Sequence, residues 1–204
     1  YCIHEFEGGF VPFRDMLSLC REQGNGDMVY EFASTSKITF PGAGVGVMAA
    51  SVANQKYITA LIGCQTIGFD KLNHLRHVRF LQDKRHTLEL MQRHAAVLKP
   101  KFDAVLNALE TEIAPLGIAH WTKPKGGYFV SLNAMDGTAK KVVQLMKEAG
   151  VVMTGAGATF PYGKDPKDSN IRIAPTLPPV AELQTAMEIL CICLKLTALE
   201  QLGV

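Results

Sequence analysis

Met28-Val29-Tyr30-Glu31-Phe32-Ala33 runs directly into Ser34-Thr35-Ser36-Lys37 and, past Pro41-Gly42-Ala43-Gly44, into Val45-Gly46-Val47-Met48-Ala49-Ala50-Ser51. The first segment is short, rich in β-forming residues and preceded by Gly24-Asn25-Gly26-Asp27, which predicts a strand that empties into a polar loop. The last is apolar on both alternations, the pattern of a strand buried on both faces in a mostly parallel sheet covered by helices. Upstream, Phe10 to Cys20 places Phe13, Met16, Leu17 and Cys20 on one helical face. Helix, strand, polar turn and buried strand together predict an α/β fold.

Working outward, a long helical stretch begins near Asp70. Leu72, Leu75, Val78 and Leu81, then Leu88, Met91, Ala95 and Leu98, keep three-and-four spacing, and Phe102, Val105 and Leu109 resume it after Pro100. An interior proline removes one helical hydrogen bond and crowds the preceding turn, so Lys99-Pro100 is the expected hinge between residues 1–99 and 100–204. The second part reads as a compact α+β unit. Trp121 to Leu132 is strand-like around Gly126-Gly127, and Thr138 to Ala149 is an amphipathic helix stopped by Gly150. Val151-Val152-Met153-Thr154 and Asn170-Ile171-Arg172-Ile173-Ala174 are expected to be short strands. A final helix enters through Pro178-Pro179 with Val180, Leu183, Met187, Leu190 and Leu194 on its buried side.

Composition narrows the function. The chain has 204 residues, 48% apolar and 20% charged, with a formal charge of only +2. Disordered and fibrous classes are excluded, and so small an excess of positive charge argues against a nucleic-acid partner. No uninterrupted apolar run is long enough for a membrane span, and a cytoplasmic location is expected. Five cysteines, Cys2, Cys20, Cys64, Cys191 and Cys193, match neither a disulfide framework nor a CxxC metal site, and read as small buried hydrophobes. His74, His77, His86 and His94 fall in one helical stretch, but nothing at matching spacing completes a metal set, so they read as a solvated helix face. No metal is expected.

Gly42-Ala43-Gly44-Val45-Gly46 has two glycines of a dinucleotide fingerprint, but the third is displaced and the run leads into a strand instead of opening a helix. No Gly-x-Ser-x-Gly elbow is present. Ser34-Thr35-Ser36-Lys37 carries more chemistry. A lysine at a strand exit can project into a cleft and attack a carbonyl once deprotonated, and the flanking hydroxyls suit phosphate oxygens. By itself such a tetrapeptide is also what a plain polar turn looks like.

The order of motifs along the chain adds to this. Ser34 to Lys37, Gln65-Thr66-Ile67-Gly68 with Asp70-Lys71, His74 to Leu81, and Pro124-Lys125-Gly126-Gly127-Tyr128-Phe129 are followed by Gly155 to Gly163 and by Asn170 to Pro175. In that order they resemble the second half of fold-type I pyridoxal-phosphate aminotransferases, and more narrowly the MocR-like aminotransferase group labelled as aspartate or alanine–glyoxylate aminotransferases. The resemblance covers essentially the whole chain. It implies the fold of pyridoxal-phosphate-dependent transferases, with residues 1–99 as part of the large cofactor-binding domain and its connecting helix, and 100–204 as the small C-terminal domain.

It also implies roles, residue by residue. Lys37 is the lysine that forms the Schiff base with pyridoxal 5′-phosphate and then moves the proton between the substrate Cα and the cofactor. Ser34 and Ser36 lie at the cofactor phosphate, Tyr1 at the pyridoxal phenolic oxygen, and Arg172 holds the substrate α-carboxylate, for which a planar fork suits better than lysine. Substrates would be a small amino acid and a 2-oxo acid, and the assembly a homodimer. One departure stands out: Val45 occupies the place where many relatives carry a phosphate-clamping arginine, so the phosphate is either held by other groups, such as backbone amides of the Gly42 to Gly46 loop, or bound weakly. About half of the family's fold is expected to lie upstream of Tyr1, including the aspartate for the pyridinium nitrogen. The 204 residues alone are therefore expected to be an inactive or incomplete fragment, with the first hundred needing the remainder or a partner chain. An effector-binding domain of a MocR-type transcription regulator is the alternative.

Overall fold

In the computed structural model, residues 5–9 and 14–203 are described. Tyr1 and Cys2, and the first part of the helix expected from Phe10, lie outside them. The chain divides into two compact units, Gly9–Gln92 and Arg93–Val204, the second also taking in Glu5–Gly8.

The first unit opens with helix α1, Met16–Glu22, whose N-cap Asp15 accepts the Ser18 N–H at 2.9 Å. A single 3-10 turn, Gly26–Met28, delivers the chain to β1, Tyr30–Ser34, which pairs antiparallel with β2, Gly46–Ala50, from Tyr30 opposite Ala50 to Ser34 opposite Gly46. The parallel, doubly buried strand expected at Val45 to Ser51 is not what forms. β2 is half of a two-stranded antiparallel pair with Val47 59% exposed, because apolarity on both alternations reports what a strand can bury and not which neighbours it has. Helix α2, Val52–Gln65, follows from the Ser51 N-cap and buries no residue. Helix α3, Lys71–Leu81, starts at Asp70, which accepts the Asn73 N–H at 2.9 Å.

The long helix expected from Asp70 onward is two helices. Gln82 turns to a φ of +56°, and Asp83 then caps helix α4, Lys84–Glu112, by accepting the His86 N–H at 2.9 Å. α4 runs through Pro100 unbroken, and the division between the two units falls within it, ahead of Lys99-Pro100. The missing proline N–H and the ring's crowding cost about 3 kcal/mol in a helix interior. That cost is offset by a continuous buried face: Leu98, Phe102, Val105 and Leu109 flank the proline, and the last three are fully buried.

In the second unit α4 meets a three-stranded antiparallel sheet in the order β3-β4-β5, with β3 Ala119–Trp121, β4 Val130–Ala134 and β5 Asn170–Ile173. β4 alternates strictly, with Val130, Leu132 and Ala134 buried. Helix α5, Ala139–Glu148, presents Val142 and Met146 to this core and ends at Gly150, whose φ of +88° is the left-handed C-terminal stop expected there. Val151 to Thr154 forms no strand, since no ladder partner is supplied to it. Helix α6, Val180–Leu202, buries Leu183, Met187, Leu190, Cys191, Cys193 and Leu194. The thiols therefore divide: Cys191 and Cys193 are buried as expected, whereas Cys20 is half-buried and Cys64, on α2, is exposed. Among the described residues no helix is long and apolar enough to cross a membrane.

Candidate active site

Two groups of residues carry the expected chemistry, one in each unit. In the first, β1 ends at Ser34 and the chain turns back at once: the N–H groups of Ile38 and Thr39 both donate to the Thr35 carbonyl at 2.9 Å. Lys37 sits on this turn, exposed, as are Ser34 and Ser36 just before it. The strand exit thus leaves these three side chains expected at a cofactor exposed within four residues of one another.

The base of the turn is built with polar contacts that the sequence did not advertise. Thr35 N–H donates to the Val45 carbonyl at 3.0 Å, and Val45 N–H donates to Thr35 Oγ1 at 2.9 Å. His77 of α3 lies buried beneath, its Nε2 3.0 Å from Thr35 Oγ1 and 2.8 Å from Thr39 Oγ1, and its Nδ1 2.9 Å from the Asn73 carbonyl. Asn73 Nδ2 donates to the Ala43 carbonyl at 2.9 Å on the returning arm. The Phe40 ring meets the imidazole edge-on, with centroids 5.3 Å apart. His77 is therefore not part of the solvated helix face expected for the four histidines.

Gly44 completes the turn by close approach. A Cβ there would collide with Ser36 Oγ and come within 3.0 Å of the Ser36 backbone nitrogen and Cα, so no larger residue fits without moving Ser36 and, with it, Lys37. Of the loop amides considered for the phosphate, Ala43 and Val45 are committed within the chain, to the Phe40 carbonyl and to Thr35 Oγ1.

In the second unit, Arg172 stands on β5 opposite Ser131 of β4. Its guanidinium lies over the Phe129 ring, 4.6 Å from the centroid, and its Nε is buried without a hydrogen-bond partner. A cleft of about 250 Å³ adjoins it, with Val151, Thr154, Ala174, Leu177 and Leu183 among its walls. The start of β5 is held firmly: Asn170 Nδ2 donates to Asn133 Oδ1 at 2.9 Å and Ser131 Oγ at 3.0 Å, and Asn170 Oδ1 accepts from Thr159 Oγ1 at 2.6 Å. Asp165 in turn accepts the N–H groups of Lys167, Ser169 and Asn170 at 2.8–2.9 Å. An arginine with a dry, unpaired N–H beside an apolar cleft is suited to a carboxylate, because the anion would satisfy a donor already removed from water.

Neither Phe129 nor the Asn170 network was picked out from sequence as part of a site. The aromatic next to the Gly126-Gly127 turn was the available signal. His77 falls in the motif stretch His74 to Leu81, but nothing there pointed to its contacts with Thr35 and Thr39, which lie before helix α2 in the sequence.

The comparisons with known proteins point one way. The family model described as Aspartate amino-transferase matches residues 1–204. An aspartate aminotransferase of Corynebacterium glutamicum is 43% identical over 200 residues, 98% of this chain and 46% of the relative. The crystal structure of an aspartate transaminase from the same species superposes with a TM-score of 0.96 at 43% identity, covering 98% of this chain and 47% of that one. At the level of fold alone, an α-aminoadipate aminotransferase of Thermus thermophilus, solved with N-(5′-phosphopyridoxyl)-L-leucine, matches with a TM-score of 0.73 at 24% identity over 96% of this chain and 48% of its own. The chain spans about half the length of the relatives it matches.

Proposed function

The chain belongs to the aspartate amino-transferase family, and from that premise we propose that it forms part of a pyridoxal-phosphate-dependent aminotransferase acting between a small amino acid and a 2-oxo acid. The observation that carries this reading is the turn at Lys37: an exposed lysine directly after two exposed serines, on a turn whose base is fixed by polar contacts to the buried His77, in a chain matched by the family model from end to end.

The residues present fit the cofactor. The turn is closed against Gly44 with no room for a Cβ, and the hydroxyls of Ser34 and Ser36 are exposed at the lysine. When bound, pyridoxal phosphate supplies the electron sink that lets a proton leave the substrate Cα. Lys37 Nζ is the group that anchors it and, once released, accepts and returns that proton. Ser34 and Ser36 donate to phosphate oxygens, and Tyr1, outside the described residues, donates to the phenolic oxygen. Arg172 orients the substrate by its α-carboxylate, the unpaired Nε being one of the donors. In this reading residues 1–99 are part of the large domain and 100–204 are the small domain, the exposed faces of β1, β2 and α2 are covered by the remainder of the fold, and the assembly is a cytoplasmic homodimer. The effector-binding alternative has no observation in its favour.

Aspartate is the first donor to try, since the family model and the Corynebacterium relative carry its name. The full-length protein loaded with pyridoxal phosphate should show the bound cofactor's visible absorbance and convert aspartate with a 2-oxo acid acceptor. Lys37→Ala should lose the absorbance shift and reduce turnover by about a hundredfold or more. A Lys37→Ala protein with unchanged spectrum and turnover would remove the proposal.

A further inference from the structure

The described part of the first unit buries Ala50, His77 and Met91 and no other side chain. A burial site as scarce as this is given to one imidazole, and both of its nitrogens are in use. Nδ1 faces a backbone carbonyl, that of Asn73, which can only accept, so Nδ1 carries the ring proton and Nε2 presents a lone pair. Both hydroxyls that reach this lone pair come from the Lys37 turn. Thr35 Oγ1 already accepts the Val45 N–H and so has its own proton to give to Nε2, while Thr39 Oγ1 donates its proton to the Thr35 carbonyl at 3.1 Å and stands 2.8 Å from Nε2.

Thr35 and Thr39 each stand two residues from Lys37, one on either side. One imidazole therefore fixes both feet of the turn, and the Thr35 carbonyl, taking the N–H groups of Ile38 and Thr39, closes it. One helical turn earlier on α3, Asn73 Nδ2 holds the returning arm at Ala43. Strand pairing alone would fix the turn only as far as Ser34 and Gly46. Beyond those residues the arms meet at Thr35 and Val45, and the contacts with His77 and Asn73 tie the turn to helix α3.

We propose that His77 is a positioning residue for Lys37: its Nε2, bonded to the Thr35 hydroxyl and in contact with that of Thr39, ties the turn to α3 and so sets where the lysine amine is held. This rests on the reading of Lys37 as the cofactor-bearing amine.

The test uses the full-length holoenzyme with the variants His77→Ala, His77→Gln, Thr35→Val and Thr35→Ser. Amide hydrogen exchange over residues 35–45 should be at least about tenfold faster in His77→Ala and Thr35→Val, with the amides of α5 and α6 unchanged. Release of pyridoxal phosphate on dilution should quicken by a similar factor, and kcat for the amino donor should fall about tenfold or more while KM stays within about twofold. His77→Gln, whose amide oxygen can accept from the Thr35 hydroxyl, and Thr35→Ser should recover most of each loss. If His77→Ala does not fold, the Thr35 pair carries the comparison. Wild-type exchange and wild-type cofactor release in His77→Ala or Thr35→Val would overturn the proposal. So would equal impairment of His77→Gln and His77→Ala, which would make the ring a space-filler. A wild-type protein that binds no pyridoxal phosphate would instead sink the functional reading, and the exchange data would still decide whether His77 holds the turn.

Discussion

Helices α2 and α6 both carry apolar residues nearly all the way round, and they end in opposite environments. α6 buries Leu183, Met187, Leu190 and Leu194 in the second unit, whereas α2 buries nothing, and Val52 and Tyr57 on it are 71% and 64% exposed. The same contrast holds between the units around them. The second has a core drawn from every layer, with Phe102 and Val105 of α4, Leu132 of β4, Met146 of α5 and Ile171 of β5 all fully buried. The first has polar order in place of apolar order: its best-defined contacts converge on His77, while Phe32 of β1 is 75% exposed. An all-apolar helix states a capacity for burial, and a neighbour has to realise it. In this chain the second unit supplies neighbours for its own helices, while the described part of the first leaves α2 exposed and holds the Lys37 turn by polar contacts.

The largest effect that can test this contrast is a core deletion in each unit. Phe102→Ala removes a fully buried ring at the centre of the second unit and should lower its stability to urea by about 3–5 kcal/mol. In the 204-residue chain by itself, Phe32→Ala removes a ring that is mostly in water and should change stability by about 0.5 kcal/mol or less. Equal losses would mean that the first unit has an apolar core of its own, and the comparison would fail.

How much of this could be read in advance follows from what each signal encodes. α5 and α6 were legible because a three-and-four period and a glycine or proline at the ends are local facts. The strand leading to Lys37 was legible because turn residues bracket it, although the observed strand is shifted to Tyr30–Ser34 by the short 3-10 turn at Gly26–Met28. The failures all concern partners. Val45 to Ser51 looked doubly buried and pairs on one side only, and Val151 to Thr154 looked like a strand and finds no ladder. Gln82, an ordinary polar residue, breaks a helix that Pro100 does not, since one position gains a cap from Asp83 and the other is held by a buried face. At the candidate site, Lys37, Ser34, Ser36 and Arg172 were recognisable as motif residues. The histidine beneath the turn lay in the motif His74 to Leu81, but its place there was not legible, because its contacts with Thr35 and Thr39 span about forty residues of sequence and leave no local pattern.

A thiol experiment sharpens the contrast with smaller perturbation. Burial pushes the Cys191 thiol up to about 11 and raises that of Cys193, so neither offers thiolate or access near neutral pH. Cys64 is exposed on α2. Alkylation of the native chain near pH 8 should label Cys64 first, with Cys191 and Cys193 modified only at the rate at which the second unit opens, slower by about a hundredfold or more for a stability of about 3 kcal/mol or higher. Peptide mapping that found Cys191 labelled together with Cys64 would show that the second unit is no better closed than the first.

The smallest effect concerns a loop of the second unit rather than its core. Asp165 is held below its ordinary value, foremost by the Asn170 N–H and then by those of Ser169, Lys167 and Asp168, against a smaller opposing effect of burial. A carboxylate depressed on folding stabilises the native state fully above the ordinary value of 3.8 and loses that contribution as the pH falls through its lower native value. Asp165→Asn cannot accept on both arms, since one oxygen becomes an amide that faces backbone donors. The variant should therefore be less stable than wild type at neutral pH, and the two urea midpoints should converge in acid. Because Asp165 orders the approach to Asn170, two residues before Arg172, the neutral-pH loss should appear as faster amide exchange over 165–173 with the Phe102 region unchanged. Parallel pH profiles for the two proteins would show that the carboxylate contributes nothing specific, and would leave the ladder with β4 and the Asn170 side-chain contacts to hold the strand that carries the arginine.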